Sequence, residues 1–451
     1  MPSLLVPPRP EIPDRDLTWL EILGALRSNV LRLIPRAAYE DEVAVLRLFG
    51  RRHFLLNEPQ AIHRVLVENF ENFRRPPATR RILWPIVGDG LLLSEGEDWQ
   101  RQRRTVAPAF ANRVVPVLGR HIVSAALDAA DGLAESCGRP VDLLATLQAL
   151  ALEIAARSMF SLEMGSNGPA LRKLINDYRP HLGQPSPLDI ILPTAIPTPR
   201  DLRRARFRPR WVDLTDAIID QRLSLPPSEK PRDLFDLLAA AQDPDTETGF
   251  SRAQLRDQVA TMIVAGHETT ALALFWALYL LASAPEAQDR IASEVRGMDF
   301  DPNAAGELLQ RLPFTRAVAN ETLRLYPPAF LVARQAVAAD RCGAVSVPAG
   351  ALVVISPWVL HRHVKRWAQP DAFDPERFLR DEPPQRLSFM PFGAGPRVCV
   401  GAQFGLAEVI LVLAVLIRKF EFRLAGTREV MPAAVVSMTP DHPAPFRLRT
   451  R

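Results

Sequence analysis

The chain has 451 residues and a mass of 50.2 kDa, and its 47% apolar and 24% charged residues exclude wholesale disorder. A net charge of +4 with no Lys/Arg run interleaved with aromatics excludes an electrostatic nucleic-acid binder. Three cysteines, Cys137, Cys342 and Cys399, form no CxxC pair, so a disulfide framework or structural zinc site is not expected and a reducing cytoplasm fits best.

The N-terminus carries Pro2, Pro7, Pro8, Pro10 and Pro13 with Glu11, Asp14 and Asp16, and no charged-then-apolar signal pattern. Residues 1–35 are expected to pack on a single domain, 36–451, although the length alone allows up to about three domains. Val43–Phe49 and His53–Leu56 around Gly50-Arg51-Arg52 read as a β-hairpin. The loop Gly88-Asp89-Gly90-Leu91-Leu92 precedes Trp99-Gln100-Arg101-Gln102-Arg103, where Trp99 and Arg103 are co-facial on a helix. By itself that is an ordinary cation–π pair. Helical patterning covers Val114–Ala134, Val141–Phe160, Trp211–Leu223 and Leu234–Ala241. Between them, residues 180–210 string six prolines ahead of six arginines. They read either as an exposed loop before a solvated helix face or as a lid over a cavity.

Ser251-Arg252-Ala253-Gln254 is a capping box opening a helix expected to reach Ala284, on the order of 50 Å long at 1.5 Å per residue. Its apolar run is interrupted at Ala265-Gly266-His267-Glu268-Thr269-Thr270. Thr269 can bond the carbonyl four residues back, and Gly266 leaves room beside it. Pro313–Tyr326 is a further helix, stopped by Pro327-Pro328, with Glu321 and Arg324 one turn apart. Val345–Val347 and Leu352–Ile355 flank Pro348-Ala349-Gly350 as a second hairpin, and Ala433–Met438 is a third β-prone stretch. The longest apolar runs, Ala271–Ala282 and Val409–Ile417, are too short to span a bilayer, so no transmembrane anchor is expected.

The most informative stretch is Phe389-Met390-Pro391-Phe392-Gly393-Ala394-Gly395-Pro396-Arg397-Val398-Cys399-Val400-Gly401. Its glycines permit a tight backbone, and Cys399 stands just ahead of the apolar helix Ala402–Phe420, where peptide dipoles and the neighbouring Arg397 favour a thiolate. Such a thiolate could be a nucleophile, a redox sensor or a metal ligand. A nucleophile would need a His base that the motifs do not place.

This stretch resembles the cysteine-ligand loop of the cytochrome P-450 family of haem-thiolate monooxygenases, through Phe392, Gly393, Gly395, Arg397, Cys399 and Gly401. Ala265–Thr270 is similar to the family's oxygen-binding helix signature, Glu321-x-x-Arg324 and Asp374–Phe378 to its ion-pair elements, and Trp99-x-x-x-Arg103 to a propionate-binding element. The motifs follow family order over roughly residues 40–450. The resemblance implies the mainly α fold of that family with a smaller β portion, and haem b with Cys399 as its axial thiolate, which favours O–O cleavage. It implies that Thr269 hydrogen-bonds dioxygen and Glu268 relays protons beside Ala265 and Gly266. Trp99, Arg103, Arg397 and, with weaker support, Arg334 would contact the haem, and Glu321, Arg324 and Arg377 would form a buried network. By position in the family's substrate-contacting segments, the pocket residues are Ile82, Leu83, Ile86, Val87, Ala265, Phe330, Leu331, Val332, Val436 and Ser437. They suit a fatty acid, terpenoid or similar lipophile. Arginines at 200–210, Arg203 and Arg204 among them, are candidates to draw a carboxylate to the entrance. His363 stands where the family often has an acid.

The chain ends soon after Phe446-Arg447-Leu448, so NAD(P)H-derived electrons are expected from a separate ferredoxin or flavodoxin with its reductase, met by a basic face at Arg101 and Arg104 of a monomer. A peroxygenase of the same fold would dispense with Glu268 and Thr269, and a haem-binding sensor or carrier would turn nothing over.

Overall fold

The computed structural model describes residues 4–15, 17–48, 51–161, 167–226 and 233–451. Strands β1 (Val43–Leu48) and β2 (Arg51–Leu56) pair antiparallel, so Arg51 and Arg52 of the expected turn belong to β2, while residues 49 and 50 lie outside the described residues. With β3 (Phe73–Arg74), β4 (Val332–Ala336) and β5 (Leu352–Ile355) they make a five-stranded sheet of order β1-β2-β5-β4-β3. The expected pairing of Val345–Val347 with Leu352–Ile355 does not form. Val345–Val347 pairs instead with Asp340–Cys342, while Leu352–Ile355 enters the large sheet. Ala433–Met438 is likewise not one strand but a turn joining Pro432–Ala434 to Met438–Pro440.

Nine helices carry the rest of the argument: α1 (Pro77–Val87), α2 (Gly96–Val106), α3 (Val115–Ala134), α4 (Leu143–Phe160), α5 (Asn167–His181), α6 (Pro199–Leu223), α7 (Arg252–Ser283), α8 (Pro313–Leu325) and α9 (Ala402–Lys419). The Ser251 hydroxyl accepts the Gln254 N–H and the Gln254 side chain returns to Ser251, so α7 starts at the capping box. Helix α6 begins twelve residues before Trp211, where the sequence pattern starts it, so the arginines of 200–210 lie on the helix. Thr198 caps it, Pro199 occupies the first turn where no N–H is needed, and Asp201 completes a second capping box.

Helices α3, α4, α7, α8 and α9 meet in the main core, where the Leu272–Leu281 half of α7 and the Val409–Ile417 half of α9 are buried all round. By length and composition α4 and α7 could each cross a membrane, contrary to the expectation from apolar runs, but both are mostly buried within this core. At the N-terminus, the Leu5 carbonyl accepts the Phe373 N–H at 2.8 Å, the Pro8 carbonyl accepts the Tyr326 hydroxyl at 3.2 Å, and Arg9 pairs with Asp371.

Candidate functional site

Helix α7 changes character at its middle. Ala265 and Gly266 are exposed although Ile263 and His267 on either side are buried. The Thr269 hydroxyl donates to the Ala265 carbonyl at 2.6 Å, the back-bond its spacing predicts. A Cβ on Gly266 would meet nothing within 4 Å. The neighbouring carboxylate turns elsewhere, and Glu268 Oε1 accepts the Ser437 hydroxyl at 2.7 Å from the C-terminal hairpin. One residue on, the Thr270 hydroxyl reaches Glu408 of α9 at 3.5 Å. Burial raises the Glu408 carboxyl to about 8, with Thr270 opposing.

The loop before α9 is folded by its glycines. Gly393 and Gly395 have φ of 77° and 73°, and a Cβ on Gly395 would lie 2.0 Å from the Leu66 carbonyl oxygen. The Met390 carbonyl accepts Gly393 N–H, and the Phe392 carbonyl accepts Cys399 N–H at 2.9 Å. Cys399 is accessible to solvent yet set deep among protein atoms. Desolvation there raises its thiol pKa, opposed by the Gly401 N–H and the Arg103 guanidinium. Arg103 also donates to the Val398 carbonyl at 2.8 Å. The cation beside the sulfur is therefore Arg103 and not Arg397, which pairs with Glu95, donates to the Ser94 carbonyl and stacks 4.3 Å from the Trp99 ring centroid.

Arg397 belongs to a group of three. Arg75 pairs with Glu95 at 3.0 Å, and Arg334, which donates to its neighbour's carbonyl at 2.9 Å, lies close enough to feel both other cations. Burial, then Arg75 and Arg397, pull Arg334 down to about 10; burial, then Arg75, do the same to Arg397. Three half-buried cations share one carboxylate, an imbalance that an added dianion would relieve. Arg75 was not among the expected residues. Its sequence neighbourhood, Phe73 to Pro77, carries no motif, and it reaches Arg334 only because Phe73–Arg74 pairs with Gln335–Ala336.

Behind the loop, Glu321 and Arg324 are both fully buried and joined by two bonds of 2.7 and 2.8 Å. Arg324 also donates to the carbonyls of His361, Pro370 and Ala372, and Glu321 accepts from Arg377 at 3.2 Å and from the Asp374 N–H. His361 links this network to the cysteine loop. Its Nδ1 bonds the Arg324 carbonyl at 3.2 Å and its Nε2 accepts the Met390 N–H at 2.9 Å. His363, in the acid's place, bonds the Asp41 carbonyl and accepts the Lys365 N–H.

The pocket candidates are dispersed. Leu83, Ile86 and Val87 of α1 pack with Trp99 and Ile263, Phe330 and Leu331 join the main core, and Val332 joins the cluster under the sheet. Ile82 is buried, its carbonyl accepting the Tyr178 hydroxyl; Val436 is 43% exposed and Ser437 holds Glu268. Arg203 is exposed, but Arg204 is no entrance charge: it is 1% exposed and paired with Asp189 at 2.7 Å and Asp201 at 2.9 Å. Arg104 is exposed and is engaged by Asp243 and Asp245 at 3.1 Å each.

Comparison with known proteins converges on one family. The family model "Cytochrome P450" matches residues 34–444. Cyclooctatin synthase of Streptomyces melanosporofaciens is 32% identical over 91% of this chain and 89% of its own, and cyclooctat-9-en-7-ol 5-monooxygenase of the same organism is 31% identical over 88% and 86%. A cytokinin hydroxylase of Arabidopsis thaliana is 30% identical over 79% of this chain and 70% of its own. The crystal structure of the cytochrome P450DA haem domain superposes with a TM-score of 0.77 at 24% identity, covering 91% of this chain and 90% of that one, which establishes the fold.

Proposed function

The chain is a member of the cytochrome P450 family, and on that footing we propose that it inserts one oxygen atom of O2 into a C–H or C=C bond of a neutral, terpenoid-like substrate. Family members carry haem b on a cysteine thiolate and draw NAD(P)H-derived electrons through partner proteins; when bound, that group supplies the reductive activation of O2.

The residues present suit it. The observation that carries the reading is the surplus of half-buried guanidinium charge: Arg75, Arg334 and Arg397 around the single Glu95 would suit the two propionates of a porphyrin. Cys399 would hold the iron. The Gly401 N–H and the Arg103 guanidinium, which oppose the effect of desolvation on the thiol, would stabilise the thiolate needed to hold it. Ala265 and Gly266, exposed in mid-helix with the Thr269 hydroxyl bonded to the Ala265 carbonyl, would leave room for O2. Glu268 would take protons from solvent and pass them toward Thr269, while Ser437 fixes where its carboxylate waits.

A neutral substrate is favoured over a fatty acid because the nominated lining is uncharged and Arg204 is already neutralised by Asp189 and Asp201. Among the relatives, one is named for acting on cyclooctat-9-en-7-ol, by its name an unsaturated alcohol. Electrons would come from a separate ferredoxin or flavodoxin in the cytoplasm. Arg101, which enters no ion pair among the described residues, is the arginine retained as a candidate to meet that carrier.

The test is spectral and chemical together. The purified holoprotein should show the red-shifted ferrous–CO band, and Cys399→Ser should abolish it. Terpenoid alcohols should shift the haem to high spin more strongly than fatty acids do. Product should form with NAD(P)H and a surrogate redox chain. Product with H2O2 alone and none with the chain would mean a peroxygenase, and no product under either condition a sensor.

A further inference from the structure

Between α1 and α2, residues 88–94 lie against α7 with no room for side chains at two positions. A Cβ on Gly88 would collide with the Asp257 carboxylate, and one on Gly90 with the Thr261 hydroxyl and the Asp257 carbonyl. The Asp257 carboxylate accepts the Asp89 N–H at 2.9 Å. Beside it three amides close a ring. The Leu91 N–H donates to Gln258 Oε1 at 3.1 Å, Gln258 Nε2 donates to Gln102 Oε1 at 2.7 Å, and Gln102 Nε2 donates to the Asp89 carbonyl at 3.0 Å. The Ser94 hydroxyl reaches Gln102 Oε1 at 3.5 Å. Both glutamines are buried, and Leu91 and Leu93 pack with Trp99 and Val259 in the same apolar cluster. Amides so enclosed are costly unless paired, and these pair only when loop, α2 and α7 keep one relative placement.

Each end of the ring leads to one side of the candidate site. Gln258 stands seven residues before Ala265, on the same face of α7 and about 10 Å upstream. Gln102 directly precedes Arg103, which donates to the Val398 carbonyl at 2.8 Å and faces the Cys399 sulfur. It follows Trp99, whose ring centroid lies 4.3 Å from the Arg397 guanidinium. The loop runs on to Ser94 and Glu95, which accept from Arg397. Helix α2 is therefore bonded to α7 through Gln102 and to the cysteine loop through Trp99 and Arg103, as a strut between the two.

We propose, on the reading that Cys399 and Ala265 flank a haem, that Gln102 and Gln258 are positioning residues that set the spacing between α7 and the cysteine loop. They act through neighbours: Gln258 through Gln102, and Gln102 through Trp99 and Arg103. An uncharged pair suits the task. Arg75, Arg103, Arg334 and Arg397 already crowd this side of the molecule, and a salt bridge in the ring would add a further field beside the sulfur, whereas two amides fix geometry without adding charge.

Gln258→Met and Gln102→Met keep an unbranched side chain and remove the amide. In the holoprotein each should speed haem transfer to excess apomyoglobin ~10-fold, and the double variant should exceed either by no more than ~2-fold, because both cut one ring. Freeing α2 also withdraws the Arg103 cation, so the haem reduction potential should become more negative in all three. Asp189→Asn, which loosens the segment held by Arg204, is the control: it should leave the potential in place and transfer within ~2-fold of the parent even where its loss of stability to denaturant is equal. Where a Met variant releases haem too fast to be purified, Gln102→Asn, one methylene short, should show a ~3-fold effect in the same direction. Single variants with the parent's transfer rate and potential would overturn the proposal, as would a double variant with the ~100-fold product of independent effects. A parent that holds no haem would sink the proposed function together with this one, whereas a loaded parent with unmoved variants sinks the positioning role alone.

Discussion

Arg324 and Arg204 are both buried, both paired with carboxylates and both bonded to backbone carbonyls, yet they do different things. The partners of Arg324 lie up to 48 residues away, on the segments leading to the cysteine loop. Those of Arg204 lie within 22 residues, at Leu182, Asp189 and Asp201. One charge joins distant parts of the chain, so its loss is expected to reach the cysteine loop. The other fastens a local cap whose outer face is then free to be apolar. Burial alone does not distinguish the two, whereas the sequence separation of the partners does.

The largest effect expected from this contrast is at the long-range network. Arg324→Ala leaves Glu321 buried with only Arg377 and a backbone N–H, at a cost on the order of 3–5 kcal/mol. Protein isolated from this variant should lack haem and the ferrous–CO band, and should unfold at lower denaturant. Glu321→Ala should behave alike. Either variant with a normal band would show that the cysteine loop holds its shape without the network.

A gain of similar size is expected from Glu408, which is buried in α9 against Thr270 of α7 without an ionic partner among the described residues. Its carboxyl is raised from an unfolded value near 4.5 to about 8, so the folded state keeps a proton that the unfolded chain loses. The stability tied to that proton is complete below about pH 4.5 and drains away as pH rises through 8. Glu408→Gln should therefore be more stable than the parent by on the order of 3 kcal/mol at pH 8, with the advantage vanishing toward pH 4.5. Denaturant titrations at several pH values measure it, and a pH-independent difference would refute the assignment.

The local staple should respond more quietly. Asp189→Asn keeps the shape but removes the charge facing Arg204, leaving Asp201 and the Leu182 carbonyl as its partners. Hydrogen exchange should quicken across 182–204 while 313–378 keeps its protection, with a global loss of about 1–3 kcal/mol at most. A collapse as large as that of Arg324→Ala would erase the distinction between the two arginines.

What the sequence made legible follows the same division. The back-bond of Thr269, the capping box of α7 and the Glu321–Arg324 pair are set by spacings of three or four residues on one helix, and all appear as read. The burial of that pair was expected only through the family resemblance, because spacing by itself suggests a solvated surface bridge. The start of α6 was missed because prolines and arginines dominated its reading, although Thr198-Pro199-Arg200-Asp201 is itself a capping signal. Arg75 and the Ser437–Glu268 bond depend on a strand pairing and on a hairpin folding back over α7, at separations no local pattern encodes.

The smallest expected effect sharpens the link between network and loop. Burial, reinforced by Arg324, lowers the His361 imidazole to about 3, so it stays neutral in the fold and accepts the Met390 N–H through Nε2. The unfolded chain takes up that proton as pH falls below about 6.5, and the fold does so only near 3. The stability tied to this residue is therefore full above pH 6.5 and is lost progressively between 6.5 and 3. His361→Phe should cost about 1–2 kcal/mol at pH 7 through the unpaired Met390 N–H, and this cost should shrink or reverse toward pH 5. Its ferrous–CO band should survive but decay faster on warming, because only one of the loop's tethers has been cut. An unchanged decay rate would mean that the glycine-folded backbone around Gly393 and Gly395 holds Cys399 unaided.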